Sequence, residues 1–394
     1  MQPRLGWVWL SQTERRAAEA ALSEVQADGA RDELGFGVVH FAYADRFFPG
    51  TSVLHTSVRY SLFVCWAYLE LLQRHRGVSF PSNVLADIED RTGRKLMEHY
   101  GRGDGHGIIG GRVLRADRRP VTRPSRIYWN ALKTWGLLAT DFATGSPPNQ
   151  SDVHRRWSDF AIVNKGLEVD AVQSVRATLL DDIPPPPADW SRPSAALSFE
   201  LPPGERKRLR KAWERSSNGG TSLLSRLANR LAPPPASMYH ADVLALCDPD
   251  ETESLKRAQQ VASLVCIGRT LYAAMVNDMK DGSNAAASRR ALDDVLSVHQ
   301  KHALALNIEK LRDDVRKLNG LKEFLDLIQE WANSGGDYSG LVHDFRVREY
   351  SLKDSRALLL DKSSARRVLW SFGTPQPLTY RWGNVTGFLN EIAA

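Results

Sequence analysis

Only three cysteines occur in 394 residues, which rules out a disulfide-stapled scaffold. Cys65, Cys247 and Cys266 lie far apart, each beside apolar neighbours, and no zinc-ligand spacing can be assembled from them. That usage predicts reduced thiols packed in cores and a cytoplasmic protein. A long hydrophobic run is missing as well. A bilayer span needs about 18 apolar residues, and the best stretch, Leu62 to Leu72, is short and broken by Glu70. The N-terminal MQPRLGWVWLSQTERR has neither the apolar core nor the small-residue cleavage site of a secretory signal. No membrane partner is expected. Catalytic signatures are equally scarce. There is no G-x-x-x-x-G-K-S/T, no G-x-S-x-G elbow and no H-E-x-x-H, which argues against a P-loop ATPase and leaves no nucleophile or zinc helix to build on. His299-Gln300-Lys301 lacks the downstream Asp of a phospholipase D-type motif, and no cluster of acids with lysine suggests a restriction-type nuclease. The balance leans towards a protein that is not an enzyme and needs no cofactor.

What is present is helical periodicity. A chain of this length predicts two or three domains, and 42% hydrophobic with 25% charged residues is ordinary for a globular fold. Ser11-x-x-Glu14 reads as a capping box for a helix to about Ala27. Leu54 to Arg76 keeps helical spacing and is apolar nearly all round, so it belongs in the middle of a helical domain. Ser82 opens another helix. Pro124-Ser125 opens a short one through Trp135, closed by Gly136 in the left-handed conformation. The stretches 144–152 and 184–193, the latter PPPPADWSRP, read as linkers or exposed loops, and Leu197 to Leu201 as a strand. From Thr252 to Met279 and from Ala291 to Trp331 the pattern is helical again, the second stretch broken at Gly320. The expected fold is mainly α with minor β. It comprises an N-terminal helical domain (1–143) ending in a winged-helix or helix-turn-helix-like element, a mixed middle segment (144–240) and a C-terminal helical bundle (241–394).

The charge is not spread evenly. Between Arg91 and Trp135 stand 11 Lys/Arg against Glu98, Asp104 and Asp117, so this segment is +8 in a chain of +6. A local positive field of this kind suits a phosphate backbone. The segment contains GRGDGHGIIGG at 101–111, too glycine-rich for a helix, and then a run of arginines punctuated by Pro120 and Pro124. Arg102, Arg112, Arg115, Arg118, Arg119, Arg123, Arg126 and Lys133 are the candidate phosphate contacts, with Tyr128 and Trp129 as candidate stacking residues. Six neutralised phosphates would give a salt slope near −5. A second basic run, Arg206, Lys207, Arg208, Arg210 and Lys211, extends this footprint or faces water. Two other readings stay open. The basic patch and the helical bundle serve as a protein scaffold, or Asp104 and His106 form part of a metal-dependent hydrolase that borrows a third ligand from elsewhere.

LGWVWLS at 5–11, DELGFG at 32–37, FAYADRFFPGTS at 41–52, VRYSLFVCW at 58–66, GIIGGR at 107–112, PSRIYWNALKTWGLL at 124–138 and PLTYRW at 377–382 resemble a bacterial family, domain of unknown function 6361. The resemblance spans most of the chain, is densest in the first 140 residues and thins over residues 140–240. It implies a cytoplasmic protein encoded near helicases and phospholipase D-like nucleases in phage-defence clusters. Such a protein would be an accessory subunit acting on nucleic acid, with DNA favoured, and a helicase or nuclease of the same system as partner. The resemblance carries no catalytic residue.

Overall fold

The computed structural model describes residues 34–75, 79–101, 103, 105–141, 144–163, 179–192, 196–214, 221–230, 233–280, 285–316, 318, 320–370 and 375–394. The N-terminal readings, including the capping box at Ser11, lie outside them. The fold is mainly helical. Among the described residues strand pairing is limited to two isolated bridges, Leu138 with Leu180 and Asp141 with Ser146. The principal helices are α1 (Gly37–Phe47), α2 (Tyr60–Arg74), α3 (Ser82–Tyr100), α4 (Gly111–Arg115), α5 (Pro124–Thr134), α6 (Pro203–Glu214), α7 (Pro249–Lys280), α8 (Ala285–Leu304), α9 (Leu321–Ser334), α10 (Val342–Lys353) and α11 (Trp382–Ala393). No helix is long and apolar enough to cross a membrane among these residues.

Contacts divide the chain into two units. The first takes Phe47–Pro234 with Gly383–Ala394, and α2 is its centre. Every α2 position from Tyr60 to Tyr68 is buried, as an all-round apolar helix requires. It packs against α3 and α5. Of the expected middle segment 144–240, the part up to Pro234 groups with this unit. Trp66 donates its indole N–H to the Pro184 carbonyl at 2.8 Å, and Lys95 reaches the carbonyls of Asp189 and Trp190, both at 2.8 Å. Arg208 holds the carbonyls of Asp181, Asp182 and Gly136. Of the two readings of the proline-rich stretch, the structure shows the exposed loop, pinned to this unit by those hydrogen bonds. Prolines bring carbonyls without amide donors, so Pro184 can accept from Trp66, while Trp190 N–H closes a turn on the Pro187 carbonyl at 2.8 Å. The expected strand at Leu197 to Leu201 is irregular backbone for a related reason. Its amides go to α3, with Phe199 N–H donating to the Tyr100 hydroxyl at 2.7 Å, and not to a neighbouring strand.

The second unit takes residues 34–46 with Pro235–Trp382. Here α7 and α8 lie along one another and α9 packs on both. The break expected at Gly320 is there, with Gly320 at φ +70° as the N-cap of α9, but the helix before it already ends at Leu304 and only a short turn at Leu311–Asp314 lies between. Two carboxylates tie this unit together. Asp314 accepts from Tyr43, Ser254 and Arg257, and Glu349 accepts from Tyr272 and the amides of Leu358 and Leu359. At Gly268 of α7 a Cβ would stand 2.7 Å from Ile328 and 3.2 Å from Phe36. Gly268→Leu is accordingly expected to overpack the α7–α9 contact and to lower stability by about 1–3 kcal/mol in urea melts. An unchanged midpoint would show that this approach is slack.

Candidate nucleic-acid interface

The basic segment is built on α3. The N-terminal half of α3 carries Asp87, Glu89 and Asp90, and the arm folds back across these acids. At its start, Ile109 N–H donates to the Tyr60 hydroxyl at 2.9 Å, anchoring the glycine loop to α2. Gly110 takes φ +71°, and a Cβ there would stand 2.5 Å from the Pro120 ring. Only glycine permits both this conformation and this approach, which brings the two ends of the arm together around α4. Past Pro120 the chain is extended at Arg123, and Pro124 starts α5 with its φ preset for a helix.

The side chains of the arm divide into three groups. Arg119 pairs with Asp87 at 2.5 Å and Arg123 with Asp90, so these two guanidinium groups are already met by carboxylates of the same chain. The Arg119–Asp87 pair is 61% and 58% exposed, contributes little, and leaves Arg119 able to exchange partners. Arg123 is half-buried and also reaches the Ala86 carbonyl, which makes it a structural residue. Arg115 donates to the Gly103 carbonyl at 3.1 Å and Lys133 to Asn149 at 2.8 Å. Arg112, Arg118 and Arg126 are exposed, and their side chains make no ion pair or hydrogen bond with the described residues. Arg102 lies outside the described residues.

The two aromatic candidates are not at the surface. Tyr128 is fully buried, stacked 4.1 Å from His55, and its hydroxyl donates to the Ser57 carbonyl while accepting from Thr56 N–H. Trp129 is buried and donates to the Pro148 carbonyl at 3.1 Å. Both belong to the inward face of α5, so neither serves as a platform for a base. A different set of rings is accessible. Tyr100, the last residue of α3, lies between His106 and Phe199, with centroid separations of 5.7 and 5.3 Å and planes inclined by only 20° and 18°. His106 is exposed and the other two are partly so. Tyr100 precedes the glycine loop and His106 lies within it, but Phe199 arrives from a segment almost a hundred residues away, which no local pattern signals.

Beneath the arm, Glu89 is buried and accepts from Ser125 N–H at 2.7 Å in the first turn of α5. Burial pushes its carboxyl up to about 7 in spite of that hydrogen bond. The cations are also partitioned between the units. Residues 47–234 with 383–394 hold 27 Lys/Arg against 19 Asp/Glu, whereas 34–46 with 235–382 hold 21 of each. A family model, that of the family of unknown function DUF6361, matches residues 2–394.

The chain belongs to the DUF6361 family.

No curated protein matches this DUF6361 chain, and neither does any solved structure. Its second basic run is largely committed to structure. Arg208 clamps three carbonyls, Arg210 donates to the Ile392 carbonyl at 2.8 Å and Lys211 pairs with Asp182 at 3.2 Å. For the metal reading, Asp104 lies outside the described residues and His106 stacks on Tyr100. Among the described residues of this DUF6361 member no group of three His, Cys, Asp or Glu side chains is placed to hold a metal ion. His299 is tied to the Ser263 hydroxyl at 3.2 Å.

Proposed function

We propose that this DUF6361 chain is a non-catalytic nucleic-acid-binding subunit, with DNA as the polymer, of a bacterial anti-phage defence system. The observation that carries the reading is the division within one arm. Arg119 and Arg123 are matched by acids of α3, while Arg112, Arg118 and Arg126 are exposed with no acidic partner among the described residues. Unmatched surface cations in the more basic unit are what a phosphate backbone engages, and each such contact releases a condensed counterion. Three contacts predict a slope of log affinity against log salt near −3 on duplex DNA, shallower than six arginines would give. Titrating labelled DNA with the pure protein between about 50 and 200 mM salt measures it. Absence of binding, or binding indifferent to salt, removes the reading.

A second reading, a scaffold for a helicase or nuclease of the same system, draws on a separate feature. Val347, Tyr350 and Leu352 of α10 are 54%, 49% and 43% exposed, a run of apolar surface of the kind protein partners cover. Co-purification of a partner that survives both nuclease treatment and substitution of the arm arginines would favour it.

A further inference from the structure

Beside the ring stack, the first unit holds a hollow of about 440 Å³, within the range of small-ligand sites. Its walls are the rings of Pro184, Pro185, Pro187 and Pro202, rigid and apolar. The ion pair of Arg59 and Glu205 also lines it, with side chains only 5% and 8% exposed. Arg59 donates to both carboxylate oxygens, at 2.8 and 2.7 Å, and to the Ser198 carbonyl at 2.8 Å. Those bonds use three of its five N–H groups, so two donors remain beside carboxylate lone pairs that are also unfilled. A donor next to an acceptor in an apolar slot is complementary to the edge of a nucleobase. The residue after Ser198 is Phe199, the inner ring of the Phe199–Tyr100–His106 stack that leads back to the glycine loop and α4.

We infer that the strand gripped by the arm is single-stranded, that its bases stack along His106, Tyr100 and Phe199, and that one base enters the hollow lined by Arg59 and Glu205. This inference rests on the nucleic-acid reading and narrows it. In a duplex the base faces are covered by their neighbours and the edges by their partners, so neither the rings nor the ion pair is satisfied by paired DNA. An unpaired strand offers both.

Arg59 and Glu205 are poor positions for a test, because removing either leaves the other as an uncompensated buried charge. Two surface changes serve instead. His106 is exposed, so His106→Ala removes a ring at little structural risk. Gly204 lines the hollow and a Cβ there meets open space, so Gly204→Phe fills the hollow from a position that tolerates a side chain. Fluorescence anisotropy at fixed salt, with a labelled strand of about 20 nucleotides alone and annealed to its complement, is the measurement. The native protein is expected to hold the single strand at least about ten-fold more tightly than the duplex. Each variant, folded by circular dichroism, is expected to weaken single-strand binding about five- to twenty-fold and to leave duplex binding unchanged. Duplex binding that equals or exceeds single-strand binding, or variants that bind the single strand like the native chain, overturns the inference. If that duplex binding still falls when Arg112, Arg118 and Arg126 are reversed, the parent reading survives. Binding to neither form removes both.

Discussion

Replacing Arg112, Arg118 and Arg126 together by glutamate is expected to weaken nucleic-acid binding by about two to three orders of magnitude at moderate salt. Each arginine–phosphate contact is a charge-assisted hydrogen bond of roughly 1.5–3 kcal/mol, and reversal adds repulsion to the loss. The fold should tolerate the change, since all three side chains are exposed and have no partner among the described residues. The same substitution at Arg123 would be uninformative, because it would place a second carboxylate against the buried Asp90 and unsettle the α3–α5 junction. Arg119→Glu is an intermediate case: it forfeits the exposed pair with Asp87 and a longer one, 3.9 Å, to the buried Asp90, so a loss of affinity counts only in a variant whose thermal midpoint is unchanged. Binding by the triple variant that matches the native chain, with an unchanged thermal midpoint, would refute the arm as the contact surface.

Raising the pH from about 4.5 to 7 is expected to remove about 3 kcal/mol of stability from the first unit. Burial lifts two of its carboxyls, Glu89 and Glu391, from 4.5 to about 7, although Ser125 donates to the first and Ser57 and Val58 to the second. Below the ordinary carboxyl value both folded and unfolded chains keep these protons. Between about 4.5 and 7 only the folded chain does, so stability falls as the pH rises and levels off once the folded carboxyls ionise. His154 works in the opposite sense. Burial against Phe80 and Tyr68 lowers its imidazole to about 4, so from there to 6.5 the unfolded chain binds the extra proton and stability rises with pH. Within the first unit two carboxyls against one imidazole leave a net decline of about one group; burial also lowers His40 to about 4, but that residue belongs to the second unit. Urea midpoints of the first unit's own unfolding at pH 5 and 7.5 measure it, and Glu89→Gln should flatten the profile by leaving one carboxyl to oppose His154. A midpoint that climbs over this interval in the native chain would contradict the assignment.

How far the sequence could be read depended on whether the signal was local. Helix α5 shows the favourable case. Pro124 at its start, an apolar face and Gly136 at φ +61° past its end are all encoded within a dozen residues, and the structure places them as the pattern implies. The all-round apolar character of α2 likewise announced a central helix. The proline stretch at 184–193 shows the unfavourable case. Composition describes its stiffness but not the distant side chains of Trp66 and Lys95 that pin it to the first unit.

The same division runs through the candidate site. By itself the sequence determined that the chain is mainly helical, that its positive charge is concentrated between Arg91 and Trp135, and that a glycine-rich turn precedes the arginines. Spacing, composition and backbone preference act over a few residues, so they can be read along the chain. Only the tertiary structure decided which arginines are neutralised, because Asp87 and Asp90 lie about thirty residues before Arg119 and Arg123 and meet them across a helix–loop junction. It also decided which aromatic rings face water. Tyr128 and Trp129 turn inward with α5, and Tyr100 gains Phe199 as a neighbour from another part of the chain. Ion pairing and burial are set by which segments pack together, a long-range property that no local pattern records.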